Sequence, residues 1–307
     1  MMAEKDPRLM LITGDLGFGV LTDFAQRFPR QYLNAGVAEQ NMLGMAAGLA
    51  LEGRTVIVYS IANFPTLRCI EQIRNDACYH DANVKIVAVG AGFSYGALGI
   101  SHHATEDIAI MRALPGIRVV SPGDRWEAAE AIEALVNAPG TAYLRLDKSF
   151  AETDPSPGTT FQLGRFRRTR EGRDISLFAT GGILRCAMEA AGTLQAQRIE
   201  CRVYSAHTVK PLDHEELARA AAETGGIVTI EEHTLDGGLG GAIAESCMDR
   251  GVRPRVFARL GLAGEFSSIV GSQNYLRKRY RLDSDSIAAA IARLLESRPG
   301  APPANPG

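Results

Sequence analysis

Glu39 is the residue of this chain whose setting most favours chemistry. It stands in residues 34–48, NAGVAEQNMLGMAAG, after a short strand at Tyr32 and Leu33 and a turn through Ala35 and Gly36. Met42, Met45, Ala46 and Leu49 recur at i, i+3, i+4, i+7, the spacing of a buried helix face. That places Glu39 in the first helical turn, where the helix dipole favours a carboxylate. Taken alone, an acid there only steadies its own helix. The same helix carries Gly44, Ala46, Ala47, Gly48 and Ala50. Each Gly costs a helix up to ~1 kcal/mol, tolerated where two backbones must approach closely.

Other candidates lie in loops. Asp15 falls in GDLGFG, where a strand ends and glycines permit a tight turn; ligands gather at strand C-termini, and a turn Asp bonding its own backbone explains it equally well. Phe64 follows the strand TVIVYS in the loop YSIANF, and Arg68 comes one turn later, either joining Phe64 or facing solvent. His102 and His103 stand in SHHATED before a helix. Adjacent histidines cannot both face one metal, and no HxxxH or nearby Cys completes a site. A glycine-rich loop between strand and helix suits a substrate pocket better, where an imidazole gives or takes a proton. Glu106 and Asp107 read as helix-start residues. Lys148 ends the stretch YLRLDKS.

These residues need a scaffold, and the chain supplies an alternation. Strands are predicted at 9–13, 55–60, 84–90, 118–121 and 141–146, with helices ending near Phe28, over 65–79, up to Leu114 and over 124–138. Strands and helices in this order mean a parallel sheet wrapped on both faces. Residues 148–160 turn to Pro, Ser, Thr and Gly without periodicity, as a linker does. Four further strands (DISLFATG, CRVYSAH, IVTIEEH, RPRVFARLG), three intervening helices and a final helix over 284–295 make up the second half. GDLGFG is no P-loop, and GAG at 90–92 lacks the third glycine of a dinucleotide site. The glycines of EEHTLDGGLGGAIAE read as close packing at a subunit contact, with an anion cradle the alternative; His207 reads as structural.

Totals narrow the class. A length of 307 suits two domains. The net charge of -2, without Lys/Arg runs, argues against nucleic acid. Five scattered cysteines in no CxxC pair fit a reducing compartment and give no disulfide framework or zinc site. The N-terminus is not patterned as a signal peptide, and nothing approaches a membrane span. The expected location is cytoplasmic.

G-V-A-E-Q-N-M leading into a Gly/Ala-rich helix, then a strand ending at Ser60 and a loop with Phe64, resembles the pyrimidine-binding domain of thiamine diphosphate enzymes of the transketolase group. The resemblance covers most of the chain. It implies an α/β fold, with a doubly wound parallel-sheet pyrimidine-binding domain over 1–147 and a linker over 148–163. A smaller α/β domain of the transketolase C-terminal type would follow over 164–298, then a disordered tail over 299–307. By resemblance Glu39 bonds the ring nitrogen of the cofactor's aminopyrimidine and favours its imino tautomer, Phe64 stacks on that ring, and Asp15 lies near it; Arg68 is a further cofactor-binding candidate where it joins Phe64. A His of the glycine-rich loop reaches substrate near the reactive carbon: transketolase register favours His102, and a register closer to the 2-oxo acid dehydrogenase beta subunits allows His103. Many family members grip a substrate phosphate with an Arg where this chain has Asp147 and Lys148. Lys148 can still bind phosphate, as a point charge.

The family holds the diphosphate through Mg2+ on a domain carrying GDG and a downstream Asn, and no GDG occurs here. The resemblance therefore implies one subunit of a split enzyme, completed by a GDG-containing partner in an α2β2 heterotetramer. Such an enzyme transfers a two-carbon ketol unit between sugars or sugar-like substrates. The alternatives are a beta subunit of a 2-oxo acid dehydrogenase, a relative of 1-deoxyxylulose-phosphate synthase, and a non-enzymatic assembly or regulatory subunit whose site has decayed.

Overall fold

A computed structural model describes residues 2–153, 155 and 158–296. After a single turn, α1 (Met2–Lys5), the chain alternates as β1 (Leu9–Thr13), α2 (Thr22–Arg27), β2 (Tyr32–Asn34), α3 (Glu39–Leu51), β3 (Thr55–Ile61), α4 (Ile70–Gln72), β4 (Val84–Val89), α5 (Asp107–Ala113), β5 (Arg118–Val120), α6 (Arg125–Asn137) and β6 (Ala142–Leu146). The second half runs β7 (Arg167–Arg170), β8 (Ile175–Thr180), α7 (Leu184–Ala196), β9 (Cys201–Ser205), β10 (Thr208–Lys210), α8 (His214–Glu223), β11 (Ile227–Thr234), α9 (Leu239–Asp249), β12 (Phe257–Leu262), α10 (Gln273–Arg279) and α11 (Ser284–Glu296).

The strands form two sheets, ordered β10-β5-β6-β4-β3-β1-β2 and β12-β11-β8-β9-β7. Each is parallel except for one edge strand: β10 runs antiparallel to β5, and β7 antiparallel to β9. Central strands such as VKIVAV and ISLFAT are buried along almost their whole length, because helices cover both faces of a parallel sheet. The two antiparallel edges lack that apolar signature. RRTR in β7 is a charged edge of the kind that discourages further pairing. TVK in β10 crosses from the second half to extend the first sheet, and Lys210 Nζ there donates to the carbonyls of Arg112, at 2.9 Å, and Leu114.

Two local departures from the expected pattern matter. α3 buries Met42, Leu43, Ala46, Ala47 and Ala50, while Met45 and Leu49 stay half-buried. Its buried stripe is turned by about a residue because it packs on β3 and also against 67–78. The helix expected over 65–79 is three pieces: a 3-10 turn over Leu67–Cys69, α4, and a π-helical stretch over Ile73–Cys78. Residues 154, 156 and 157 of the expected linker, and the expected tail 299–307, lie outside the described residues. Among the described residues no helix is long and apolar enough to cross a membrane.

Candidate active site

Five strands of the first sheet deliver their carboxyl ends to one rim. β1 leads to Asp15, β2 to Glu39, β3 to Phe64 and Arg68, β4 to the loop carrying His102 and His103, and β6 to Lys148. This is the edge at which parallel α/β sheets hold ligands.

Glu39 opens α3 and is only 3% exposed. Gly14 lets β1 come close to it: a Cβ at Gly14 would lie 3.3 Å from the Gly36 carbonyl and 3.6 Å from Glu39 Cγ. Arg68 Nη1 donates to Glu39 Oε2 at 2.7 Å, and among the described residues no donor engages Oε1. The Arg68 guanidinium also lies over the Phe64 ring, 4.6 Å from its centre. His102 meets Phe64 edge-on, with ring centres 5.2 Å apart. Beyond His102 comes Tyr95, 6.1 Å away, and over the Tyr95 ring lies Lys148 Nζ at 3.5 Å. Glu39, Arg68, Phe64, His102, Tyr95 and Lys148 thus form one continuous surface.

The two histidines part company. His102 is half-buried, and Ser101 Oγ lies 2.9 Å from its Nδ1. Burial, and then the neighbouring His103, hold its pKa below the usual imidazole value. His103 points into the protein: its Nε2 lies 3.2 Å from the Gly96 carbonyl, its ring packs edge-on to Phe93 at 5.1 Å, and its Nδ1 is buried without a partner. The backbone between them is pinned by Asn63 Nδ2, which donates to the carbonyls of Ser101 at 3.2 Å and His103 at 2.7 Å.

Asp15 adopts φ +58°, a left-handed conformation that Asp tolerates. Its partner is Asn34 rather than its own turn: Asn34 Nδ2 donates to Asp15 Oδ1, and the Asp15 amide donates to Asn34 Oδ1, both at 2.9 Å. The Gly36 amide adds a third bond to Asn34 Oδ1 at 3.0 Å. Asp15 therefore ties together the ends of β1 and β2, just before the turn into Glu39.

Asn34, Asn63 and Tyr95 were not singled out by sequence. The asparagines carry no motif, and Tyr95 is one aromatic in a loop of glycines. Asp107 begins α5 as expected, and its carboxylate also accepts from Arg145 Nε at 2.7 Å and Tyr143 OH at 2.5 Å in a fully buried cluster. The glycines after β11 also have an intramolecular purpose. The Leu239 and Gly240 amides at the start of α9 donate to Glu231, at 2.7 and 2.8 Å, and a side chain on Gly238 would collide with that carboxylate. Those amides hold an acid of their own chain. His207 is buried against Phe161, with ring centres 4.4 Å apart.

Thiamine diphosphate would ask two things of this rim, a carboxyl to bond its pyrimidine ring nitrogen and a flat apolar face. The Arg68 guanidinium is itself a planar N–H group, and it is seated on Glu39 and Phe64 together. The donor set fits the pyrimidine end of the cofactor. Among the described residues no group of three or more His, Cys, Asp or Glu could hold a metal ion.

Comparison with known proteins agrees with this geometry. Residues 1–152 match the transketolase pyrimidine-binding domain family, and residues 164–287 the transketolase C-terminal domain family. A putative transketolase C-terminal section of Methanocaldococcus jannaschii is 37% identical, over 94% of this chain and 91% of its own length. One of the subunits of an apulose-4-phosphate transketolase of Phocaeicola vulgatus is 34% identical, over 93% of this chain and 91% of its own. A solved structure described as a split gene transketolase, an inactive β4 tetramer, superposes with a TM-score of 0.85 at 34% identity, covering 96% of this chain and 94% of that one. The chain belongs to the transketolase family, as a carrier of its pyrimidine-binding and C-terminal domains.

Proposed function

We propose that this chain is the pyrimidine-binding subunit of a split transketolase that moves a two-carbon ketol unit between sugars or sugar-like substrates. The observation that carries the reading is the buried Glu39 carboxylate beside Phe64 at the carboxyl ends of the parallel strands. Glu39 Oε1 bonds the pyrimidine ring nitrogen, accepting its N–H in the imino tautomer, and Phe64 offers the ring face, a contact worth about 0.5–1.5 kcal/mol beyond its area. Asp15 is a support for this pocket through Asn34. Thiamine diphosphate, when bound, supplies the electron sink that lets the bond beside a ketone carbonyl break.

The remaining residues serve the substrate. His102, with its depressed pKa, is unprotonated at neutral pH and can take a substrate hydroxyl proton or return it. His103, turned inward, shapes the loop that presents His102. Lys148 offers a positive charge at the outer end of the surface, suited to the phosphate of a ketose phosphate. The names of the relatives, one a C-terminal section and the other a single subunit of a transketolase, support a partner chain. That partner carries the GDG segment, the diphosphate and Mg2+, in an α2β2 assembly with the site between subunits. The domain limits that go with this reading are 1–147 and 164–298, joined by 148–163.

The test is to isolate the chain with its native partner and assay ketol transfer with and without thiamine diphosphate. Cofactor-dependent transfer that disappears in Glu39→Ala, with assembly retained, is the expected result. A lipoyl-bearing protein in the complex would move the reading to oxidative decarboxylation. A chain that assembles with no GDG-bearing partner and binds no cofactor would overturn it.

A further inference from the structure

The second half of the chain reaches back into the substrate end of the rim. Arg277, on α10, is 1% exposed and donates from Nε to Glu232 on β11. Its Nη2 donates to Ser149 Oγ at 2.9 Å and, more weakly, to Asp147 Oδ2 at 3.4 Å. Gln273, one turn earlier, donates from Nε2 to Asp147 Oδ1 at 3.1 Å and to Glu232 Oε1 at 2.9 Å. Glu232 Oε1 also accepts the Phe93 amide at 2.5 Å, and Asp147 Oδ1 accepts Ser94 Oγ at 2.6 Å. Phe93 is stacked on Tyr280, which caps α10, with ring centres 5.4 Å apart. Two loops of the first sheet, 93–95 and 147–149, are therefore held by one buried polar cluster whose other members come from the second. Tyr95 and Lys148, which meet at 3.5 Å, are the next residues along those loops.

We propose that Gln273, Arg277 and Glu232 are positioning residues: through Ser94 and Asp147 they set the place of Tyr95 and Lys148 at the substrate end of the site. The second half then does more than assemble subunits. Asp147 and Glu232 share donors across the two sheets, so the two loops keep one register, and a fixed ring under Lys148 replaces the many rotamers of a free lysine. A lysine already held in place loses less freedom on binding an anion than a free one. The role of Lys148 toward substrate rests on the function proposed above; its placement by the second half does not.

One experiment separates the two. The chain has only five lysines, so reductive 13C-dimethylation, which keeps their charge, gives few methyl signals. In wild type the Lys148 signal, identified by its absence in Lys148→Arg, is displaced upfield by the Tyr95 ring relative to exposed Lys278. Gln273 is half-buried and uncharged, so Gln273→Ala leaves no buried ion bare. In Gln273→Ala and Ser94→Ala the displacement is expected to shrink by at least half, and Ser94→Thr to restore it. Variants that melt earlier yet keep the full displacement would show a merely structural role and overturn the proposal. In the complex with the partner subunit, Gln273→Ala is expected to raise KM for fructose 6-phosphate about tenfold with kcat within twofold. The double variant with Lys148→Ala is expected to be no worse than Lys148→Ala alone. If the signal moves while neither Gln273→Ala nor Lys148→Ala alters KM, the positioning stands and the substrate role of Lys148 falls.

Discussion

Arg68 Nη1 lies 2.7 Å from Glu39 Oε2 while the same guanidinium covers Phe64 at 4.6 Å. One cationic side chain thus bonds Oε2 of the carboxyl and covers the ring face that a pyrimidine would need, while Oε1 stays open. Only one of the pair is free to move: Arg68 is 48% exposed and Glu39 3%.

A pyrimidine stacked on that face of Phe64 would displace the guanidinium outward. The contacts it gives up, an ion pair with one solvated partner and a partly exposed cation–π contact, amount to about 1–2 kcal/mol together. Arg68→Ala is expected to speed association of thiamine diphosphate with the assembled enzyme by roughly tenfold, a rate that stopped-flow fluorescence can follow. Slower association in the variant would mean that the guanidinium guides the cofactor in rather than standing in its way.

His102 carries a prediction in pH. Its imidazole is pushed below the ordinary value by burial and by His103, so it becomes protonated only below that value. If it moves a substrate proton, kcat/KM falls on the acid side of an inflection lower than about 6.5. His102→Gln is expected to remove that inflection and to lower kcat/KM by about 10²–10⁴-fold. An acid limb that persists unchanged in the variant would assign the titration to another group.

How much of this was readable in the sequence depends on whether neighbours in space were neighbours in the chain. Glu39 was legible because a helix start and a buried face share one stretch, and Phe64 because its strand was unmistakable. The alternation of TVIVYS, VKIVAV and TAYLRL with helices gave the first sheet, apart from its edges. β7 and β10 were invisible: RRTR has no apolar period, and TVK gains its place only by pairing with β5 across the halves. Asp107 was legible as a helix-start acid, but its buried partnership was not, because Tyr143 and Arg145 are more than thirty residues away in the chain. Glu232 and Gln273 were hidden for the same reason. Their partners, Phe93 and Asp147, belong to the other sheet's loops.

The buried pair of Asp107 and Arg145 tests the scaffold beneath the site. Burial alone would raise the Asp107 carboxyl, but Arg145, His233 and the hydrogen bonds from Arg145 and Tyr143 outweigh it and hold the pKa below the usual value. A depressed carboxylate contributes stability above its unfolded pKa, near 3.8, and loses it as pH falls through the lower folded value. Asp107→Asn leaves Arg145 charged and unpaired in the core, an error that costs about 3–5 kcal/mol. Urea unfolding at neutral pH is expected to show a loss of that size, and the difference from wild type is expected to shrink as the pH is taken below 3.8. A loss under about 1 kcal/mol would mean that Tyr143 and the surrounding carbonyls satisfy Arg145 by themselves.

Glu231 shifts the opposite way. Burial raises its pKa to about 7, against the opposing pull of the Gly240 and Leu239 amides, Arg145 and Arg259. Between 4.5 and 7 the unfolded chain has released this proton while the folded chain keeps it, so stability falls as pH rises and levels off above 7. His233, 3.7 Å away, works against this: burial lowers it from 6.5 to about 4, so its contribution grows with pH over that window. The wild-type curve is therefore nearly flat where the two windows overlap. Glu231→Gln removes one of them and keeps the other. The stability of wild type minus that of Glu231→Gln is expected to drop by about 3 kcal/mol between pH 4.5 and 7, measured by urea unfolding at each pH. A difference that stays level across the window would mean that the two α9 amides keep Glu231 ionised throughout, as a helix cap in place of a buried acid.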